Sequence, residues 1–310
     1  MMDQKIEMSG HFRLTTNGPE RGRLLQGDFD NVILNQGLNA IGTQAVVTAC
    51  QVGSGTSAAT VTQSALDSLV AGTSSLIAQT NTYVEGAAPY WSCTFTYRFA
   101  EGVAAGILAE VGMGWGGSGS TLFSRARILD AGSAPTTITV LPSEALDVEY
   151  TLRFYIPLTD VTGSRTMFGT TTNYVVRACN AQVGDLWSPY QFVRGAPDDS
   201  SLLQVYAAPA TLGTINQYPS AALISDTPTS SSGAAYVGNS LRLVGNANLS
   251  LAAGNAAGGI GAAVFSVKRR ISGDSPANPA SFQVSFDPPI PKTSDYLATF
   301  QFAISWARKT

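Results

Sequence analysis

The chain has 310 residues, 44% of them hydrophobic and only 13% charged, with a formal net charge of −3. That is apolar enough to build a core, which excludes a disordered chain, and it carries no basic run of the kind that nucleic acid selects. No stretch reaches the 18 or so apolar residues of a membrane helix, and the opening MMDQKIEMSGHFRL lacks the apolar centre of a signal peptide, so neither membrane insertion nor secretion is expected. Ser, Thr, Asn, Gln and Gly fill the remaining surface, which solvates a free monomer poorly and suits a chain covered by neighbours in an assembly. Arg outnumbers Lys fourteen to four, and Arg favours protein interfaces and two-pronged pairing with carboxylates.

Taken in chain order, short strands dominate. FRL near Phe12 and NVIL near Val32 come first, followed by a short helix in which Leu38, Ile41 and Ala45 share a face after a cap at Asn35. A second helical candidate runs from Thr62 through Leu66 and Leu69. SCTFTYRF then places Cys93, Phe95, Tyr97 and Phe99 on one face, and ILAEVGMGW near Glu110, TLFSRARIL near Phe123 and PTTITVL near Ile138 follow. DVEYTLRFYI alternates strictly, with Val148, Tyr150, Leu152, Phe154 and Ile156 on one side. A period of two with aromatic and β-branched residues is the pattern of a half-buried strand. Glycine clusters such as Gly116-Gly117-Ser118-Gly119 and Ser230-Ser231-Ser232-Gly233 supply turns. The expected class is all-β, of sandwich or jelly-roll type.

The two halves resemble each other. NVILNQGLNAIG ends at Gly42 and NYVVRACNAQVG at Gly184, 142 positions later, and the same offset relates FSRARI at Phe123 to FSVKRRI at Phe265. PTTITVL at Pro135 answers PASFQVSF at Pro279, and YTLRFYI answers ATFQFAIS so that Leu152, Phe154 and Ile156 meet Phe300, Phe302 and Ile304. Collinear matches with the buried face in phase point to tandem duplication. Two jelly-roll-like domains are expected, residues 1–157 and 158–310, joined near PLTDVTGSRTMFG at 157–169.

Residues that carry chemistry are sparse. His11 is the single histidine and sits in an expected strand, and Cys50, Cys93 and Cys179 are scattered, which reads as small buried hydrophobes. Asp198-Asp199 is an adjacent acidic pair without calcium-loop spacing. Glu110, the acid in the most apolar setting, is expected to make an inward or interface hydrogen bond that anchors a strand. The runs at Gly112–Gly117 and NAAGGIGAAVF lack phosphate-loop context and read as close strand approaches. Asn248-Leu249-Ser250 matches a glycosylation sequon that has meaning only on a secretory route. Trp91, Trp115, Trp187, Trp306 and Tyr90 are aromatic candidates for sugar contact or interface anchoring, with Trp306 favoured for the core. No catalytic residue, metal ligand or cofactor site is expected.

With these segments laid out, residues 7–156 resemble a family of tailed-bacteriophage structural proteins of the tail-fibre or baseplate type. The resemblance rests on GHFRLTT, FDNVILNQGLNAIG at Phe29–Gly42, VGSGTSAATVTQSAL at Val52–Leu66, FTYRF at Phe95–Phe99, GVAAGILAEVGMGW, LFSRARILDA and PTTITVLPSEALDVEYTLRFYI. It implies a non-enzymatic virion protein of the tail, assembled in the bacterial cytoplasm. Its partners would be other tail proteins and copies of itself in a trimer or hexamer. The alternative is a fibre that contacts a host receptor or glycan. The second half lacks the VGSGT element.

Overall fold

The computed structural model describes residues 2–180, 189–225, 230–233, 236–270 and 280–309. Strands make up 56% of it and helices 4%, so the chain is all-β. It forms two compact units. The early unit holds Met8–Val84, Tyr90–Phe154 and Arg308–Thr310, and the late unit holds Met1–Glu7, Glu85–Pro89 and Tyr155–Ala307. The expected division at residue 157 followed chain order alone. The units instead exchange short segments, because strand pairing rather than sequence position decides where each segment belongs.

In the early unit the elements are β1 (Met2–Gly18), β2 (Gly22–Asp30), β3 (Val32–Ile33), α1 (Asn35–Ala40), β4 (Ala49–Gly53), β5 (Leu69–Thr73), β6 (Leu76–Val84), β7 (Tyr90–Phe99), β8 (Gly106–Leu108), β9 (Glu110–Gly114), β10 (Leu122–Arg127), β11 (Ile138–Val140) and β12 (Ala145–Tyr155). One sheet has the order β1-β12-β7-β6, with β2 also on β1, and the other has the order β3-β10-β9-β4-β5. The short strands β8 and β11 pair separately. The alternation in β7 and β12 does what it implies: Cys93, Phe95, Tyr97, Phe99, Tyr150, Leu152 and Phe154 are all fully buried. Tyr97 donates its hydroxyl to the carbonyl of Val47 at 3.0 Å, and the Tyr150 hydroxyl accepts from Asn31 Nδ2 at 3.3 Å. Buried phenols thus keep their partners.

The late unit contains β13 (Val161–Met167), β14 (Thr170–Ala178), α2 (Pro189–Arg194), β15 (Ala196–Ala207), β16 (Leu223–Ser225), β17 (Ser230–Gly233), β18 (Arg242–Leu249), β19 (Ile260–Arg270), β20 (Ser281–Ile290) and β21 (Ala298–Arg308). One sheet has the order β13-β14-β20-β19-β15-β16, and the other runs β17-β18-β21 and on to the first residues of β1. Rings from the two sheets meet: Phe302 on β21 lies 4.6 Å from Phe265 on β19, and Phe300 lies 6.0 Å from Phe286 on β20, centroid to centroid.

Three local expectations change, the first at Ser230–Gly233, which forms strand β17 on β18 rather than a turn. Asn35 is the first helical residue of α1 rather than its cap, since Leu34 takes that position without a side-chain bond. The Asn35 side chain instead accepts from Arg308 Nη2 at 2.6 Å. Residues 62–69 form no helix; Leu66 is buried against Leu34 and Leu122, and Leu69 already belongs to β5. Segment Gly184, Trp187 and Pro279 lie outside the described residues.

Glycine is required where α1 crosses β10. A Cβ on Gly37 would stand 2.4 Å from the carbonyl oxygen of Phe123, whereas one on Gly238 would meet nothing within 4 Å. Gly37→Ala should therefore lose about 1–3 kcal/mol of stability in urea unfolding, and Gly238→Ala should change it by less than about 0.5 kcal/mol.

Candidate functional site

Glu110 on β9 and Arg125 on β10 form the centre of the most elaborate polar site among the described residues. Arg127 lies directly opposite Glu110 and Arg125 opposite Gly112, so Glu110 and Arg125 are diagonal neighbours on one face. Both side chains are fully buried. Arg125 donates to Glu110 Oε2 from Nε at 2.9 Å and from Nη2 at 2.7 Å.

Around this pair the segment between β4 and β5 is folded. Glu110 accepts backbone N–H bonds from Gly55 and Ser68 at 2.9 Å and from Asp67 at 3.1 Å. Arg125 reaches Gln63 Oε1 at 2.7 Å, Asp67 Oδ2 at 2.8 Å and the Ser57 carbonyl at 3.3 Å. Ser57 in turn donates from its N–H and its hydroxyl to Asp67. The glycines of VGSGT have a physical reason: a Cβ on Gly53 or Gly55 would stand 2.6 or 2.3 Å from Glu110 Oε1. At these two positions a side chain would collide with the carboxylate, so glycine lets the chain pass beside it, and Gly55 donates to it. Glu110 therefore anchors inward, and it holds a loop as well as a strand. This network was missed in the sequence because nothing there says which strand lies beside β9. The close pairing of two glycines with a lone apolar-flanked acid was the available signal.

A pocket of about 280 Å³ beside this network is lined by Asp30, Asn31, Val32, Arg125 and Arg127 among others. Its arginine of greatest interest is already saturated with internal acceptors.

Three further arginines grip carboxylates with both prongs. Arg98 binds Asp147 at 2.7 and 2.6 Å, Arg177 binds Asp160 at 2.8 and 2.6 Å, and Arg21 binds the buried Glu144 from Nε at 2.7 Å and from Nη2. With Arg125, four of the fourteen arginines thus grip carboxylates of the same chain. His11 on β1 has both ring nitrogens on carboxylates, Nδ1 to Asp30 at 2.9 Å and Nε2 to Asp28, so neither faces a nucleophile. The three cysteines are free and buried, and burial pushes the Cys50 thiol above its ordinary range. Among the described residues no group of three His, Cys, Asp or Glu side chains could hold a metal ion. Asp198 and Asp199 have their backbone in β15; their side chains lie outside what is described.

Of the aromatic candidates, Trp91 and Trp306 are core residues, the latter edge-on to Phe192 and stacked on Tyr236. Trp115 is half-buried, and Tyr90 is half-buried with the Arg153 guanidinium 5.5 Å from its ring centre. Asn248 of the sequon accepts from Thr299 at 2.8 Å. The glycine runs are close approaches, as read: a Cβ on Gly114 would stand 2.0 Å from the Thr121 carbonyl, and one on Gly259, where φ is +80°, would stand 2.5 Å from that of Ile290.

Compared with known proteins, the chain matches no family model, no curated protein and no solved structure.

Removing one member of a buried pair strands the other charge, so Glu110→Gln should cost about 3–5 kcal/mol in urea unfolding. The variant should also be cleaved first between residues 54 and 68 in limited proteolysis, where wild type resists. Acid should act through the paired carboxylates. The Ser57 hydroxyl and Arg125 hold Asp67 below its usual range, and Arg21 and Arg177 do the same for Glu144 and Asp160. A carboxylate depressed by folding contributes stability that is complete above its unfolded pKa, about 4, and is lost as pH falls through the folded value. Unfolding free energy should be flat from about pH 7 to 5 and decline below about pH 4.

Proposed function

We propose that the chain is a non-enzymatic structural protein of a phage tail, a tail, baseplate or fibre-attachment adaptor that acts through protein–protein interfaces. The observation that carries this reading is the closure of the VGSGT segment around Glu110 and Arg125. The motif on which the resemblance leans is accounted for as a structural joint that fixes the edge of a sheet. Low charge adds to it, since few side chains are placed to repel a neighbouring chain. The fibre alternative draws on Tyr90 and Arg153, but burial of Trp91 and Trp306 removes two rings that a sugar platform would use.

The reading includes tandem duplication of a jelly-roll-like unit, supported by sheet order. Strands β3, β4, β5, β6, β7, β9, β10 and β12 can be matched in chain order with β14 to β21. The order β3-β10-β9-β4-β5 then becomes β14-β20-β19-β15-β16, and β12-β7-β6 becomes β21-β18-β17. Helix α1 follows β3 as α2 follows β14. The sheets pair β10 with β20, so the sequence likeness of Phe123 to Phe265 is a coincidence of strands, whereas Leu152 and Phe300 fall on matched strands and are both buried. Gln283 on β20 reinforces the match. Fully buried, it accepts from Gly213 N at 2.9 Å and donates to Thr214 O at 3.0 Å, holding the loop between β15 and β16 as Arg125 holds the loop between β4 and β5.

A cryo-EM map of the phage particle tests the reading: the chain should occupy repeated positions in the tail, and its absence there would overturn it. The purified protein should form oligomers whose mass in light scattering is barely altered between about 0.05 and 0.5 M salt, because uncharged contacts are little screened.

A further inference from the structure

Among the described residues the long strand β6 ends its sheet in the early unit, paired on one side with β7 alone. It spans nine residues, LIAQTNTYV, most of them exposed on both faces. No charged residue occurs between Asp67 and Glu85. Sheet edges that stay single are usually blunted by Lys, Pro or short length, because a row of unpaired N–H and C=O groups is a template for another strand. One bulge, between Leu76 and Ala78, interrupts the pairing with β7; beyond it Ala78–Val84 runs in regular register.

We infer that Ala78–Val84 is a homotypic docking edge, on which β6 of a second copy of this chain adds antiparallel about a two-fold axis. This rests on the reading of the chain as an assembling structural protein and names the surface that starts the assembly. A second copy fits because the strand is self-complementary when turned end for end. With Asn81 opposite Asn81, Thr80 meets Thr82, Gln79 meets Tyr83 and Ala78 meets Val84. Every pair is uncharged, and amides and hydroxyls meet groups that both donate and accept. The outer face already carries a row that such pairing extends: Thr151 bonds Thr94 at 2.8 Å, and Thr94 stands opposite Thr80. Thr82 of the second copy would come next. Threonine pairs of this kind stabilise neighbouring strands. Ile77 beside the bulge is 45% exposed, and it adds apolar area to a strand pair that alone falls short of a standard interface.

Sedimentation velocity on the full chain over a concentration series tests this. Wild type should show a concentration-dependent dimer. Asn81→Lys sets two like charges directly opposite and should weaken the dimer by at least about tenfold, equivalent to about 1.4 kcal/mol. An equimolar mixture of Asn81→Lys and Asn81→Asp should recover it. Asn81 is exposed, so an unchanged thermal melt confirms that the variants are folded. If wild type associates and Asn81→Lys associates equally well, the docking edge is wrong while the assembly reading stands. If the lysine variant is weakened and the mixture shows no recovery, pairing of Asn81 with its own copy is wrong. A wild type that is monomeric throughout overturns both.

Discussion

The buried bond between Glu110 and Arg125 is the constraint on which the early unit turns. Placing two charges out of water is costly, and the attraction between them offsets that only if the remaining donors and acceptors are satisfied. Here they are satisfied by backbone: Gly55, Asp67 and Ser68 give N–H groups to the carboxylate, and Ser57 and Ala58 give carbonyls to the guanidinium. The loop and the ion pair therefore require each other. Without the pair, the segment from Ser54 to Ser68 has almost no secondary structure to fix it; without the loop, two bare charges stay in the core. Such mutual dependence gives a long connection one conformation, although its composition of Ser, Thr, Ala and Gly carries a large ordering entropy.

Fixing that loop also fixes where β5 begins, and a two-residue link then delivers the chain to β6 on the other sheet. The exposed edges of both sheets in the early unit thus follow from a decision made in its interior. A floppy loop would let β5 and β6 slide, and register on a flat strand with polar residues on both faces is weakly specified. Rigid anchoring upstream is what would keep such an edge presentable to a partner.

Strands with one wet and one dry face were legible in the sequence. β7 and β12 carry their burial in a period of two, and the structure follows it except at Ser92 and Asp147, polar-face residues that are buried. β6 was not legible, because an edge with both faces exposed has no alternation to read. The segment around Leu66 imitates a helical face for another reason: Leu66 is buried by Leu34 at the cap of α1 and by Leu122 on β10, whereas Leu69 belongs to β5 and is exposed. The excess of Arg points outward on composition alone, yet Arg21, Arg98, Arg125 and Arg177 spend their two prongs on carboxylates of the same chain, Arg125 from full burial. Composition reports how much two-pronged pairing is present; it does not report on which side of the surface the carboxylate waits.

On the proposed duplication, the matched loops show why sequence comparison between the halves drifts. Register places Arg125 opposite Gly112 on β9, and it places Gln283 opposite Val264 on β19. Two strand positions away, Glu110 corresponds to Ala262. A charged pair in one unit therefore answers a neutral amide beside a small apolar residue in the other. A carboxamide both donates and accepts, so it secures a loop without burying a net charge, and it needs no counterion. The late loop accordingly has no use for the VGSGT glycines, which in the early unit leave room for the Glu110 carboxylate. On that reading the signature would be lost with its carboxylate while the sheet order is kept.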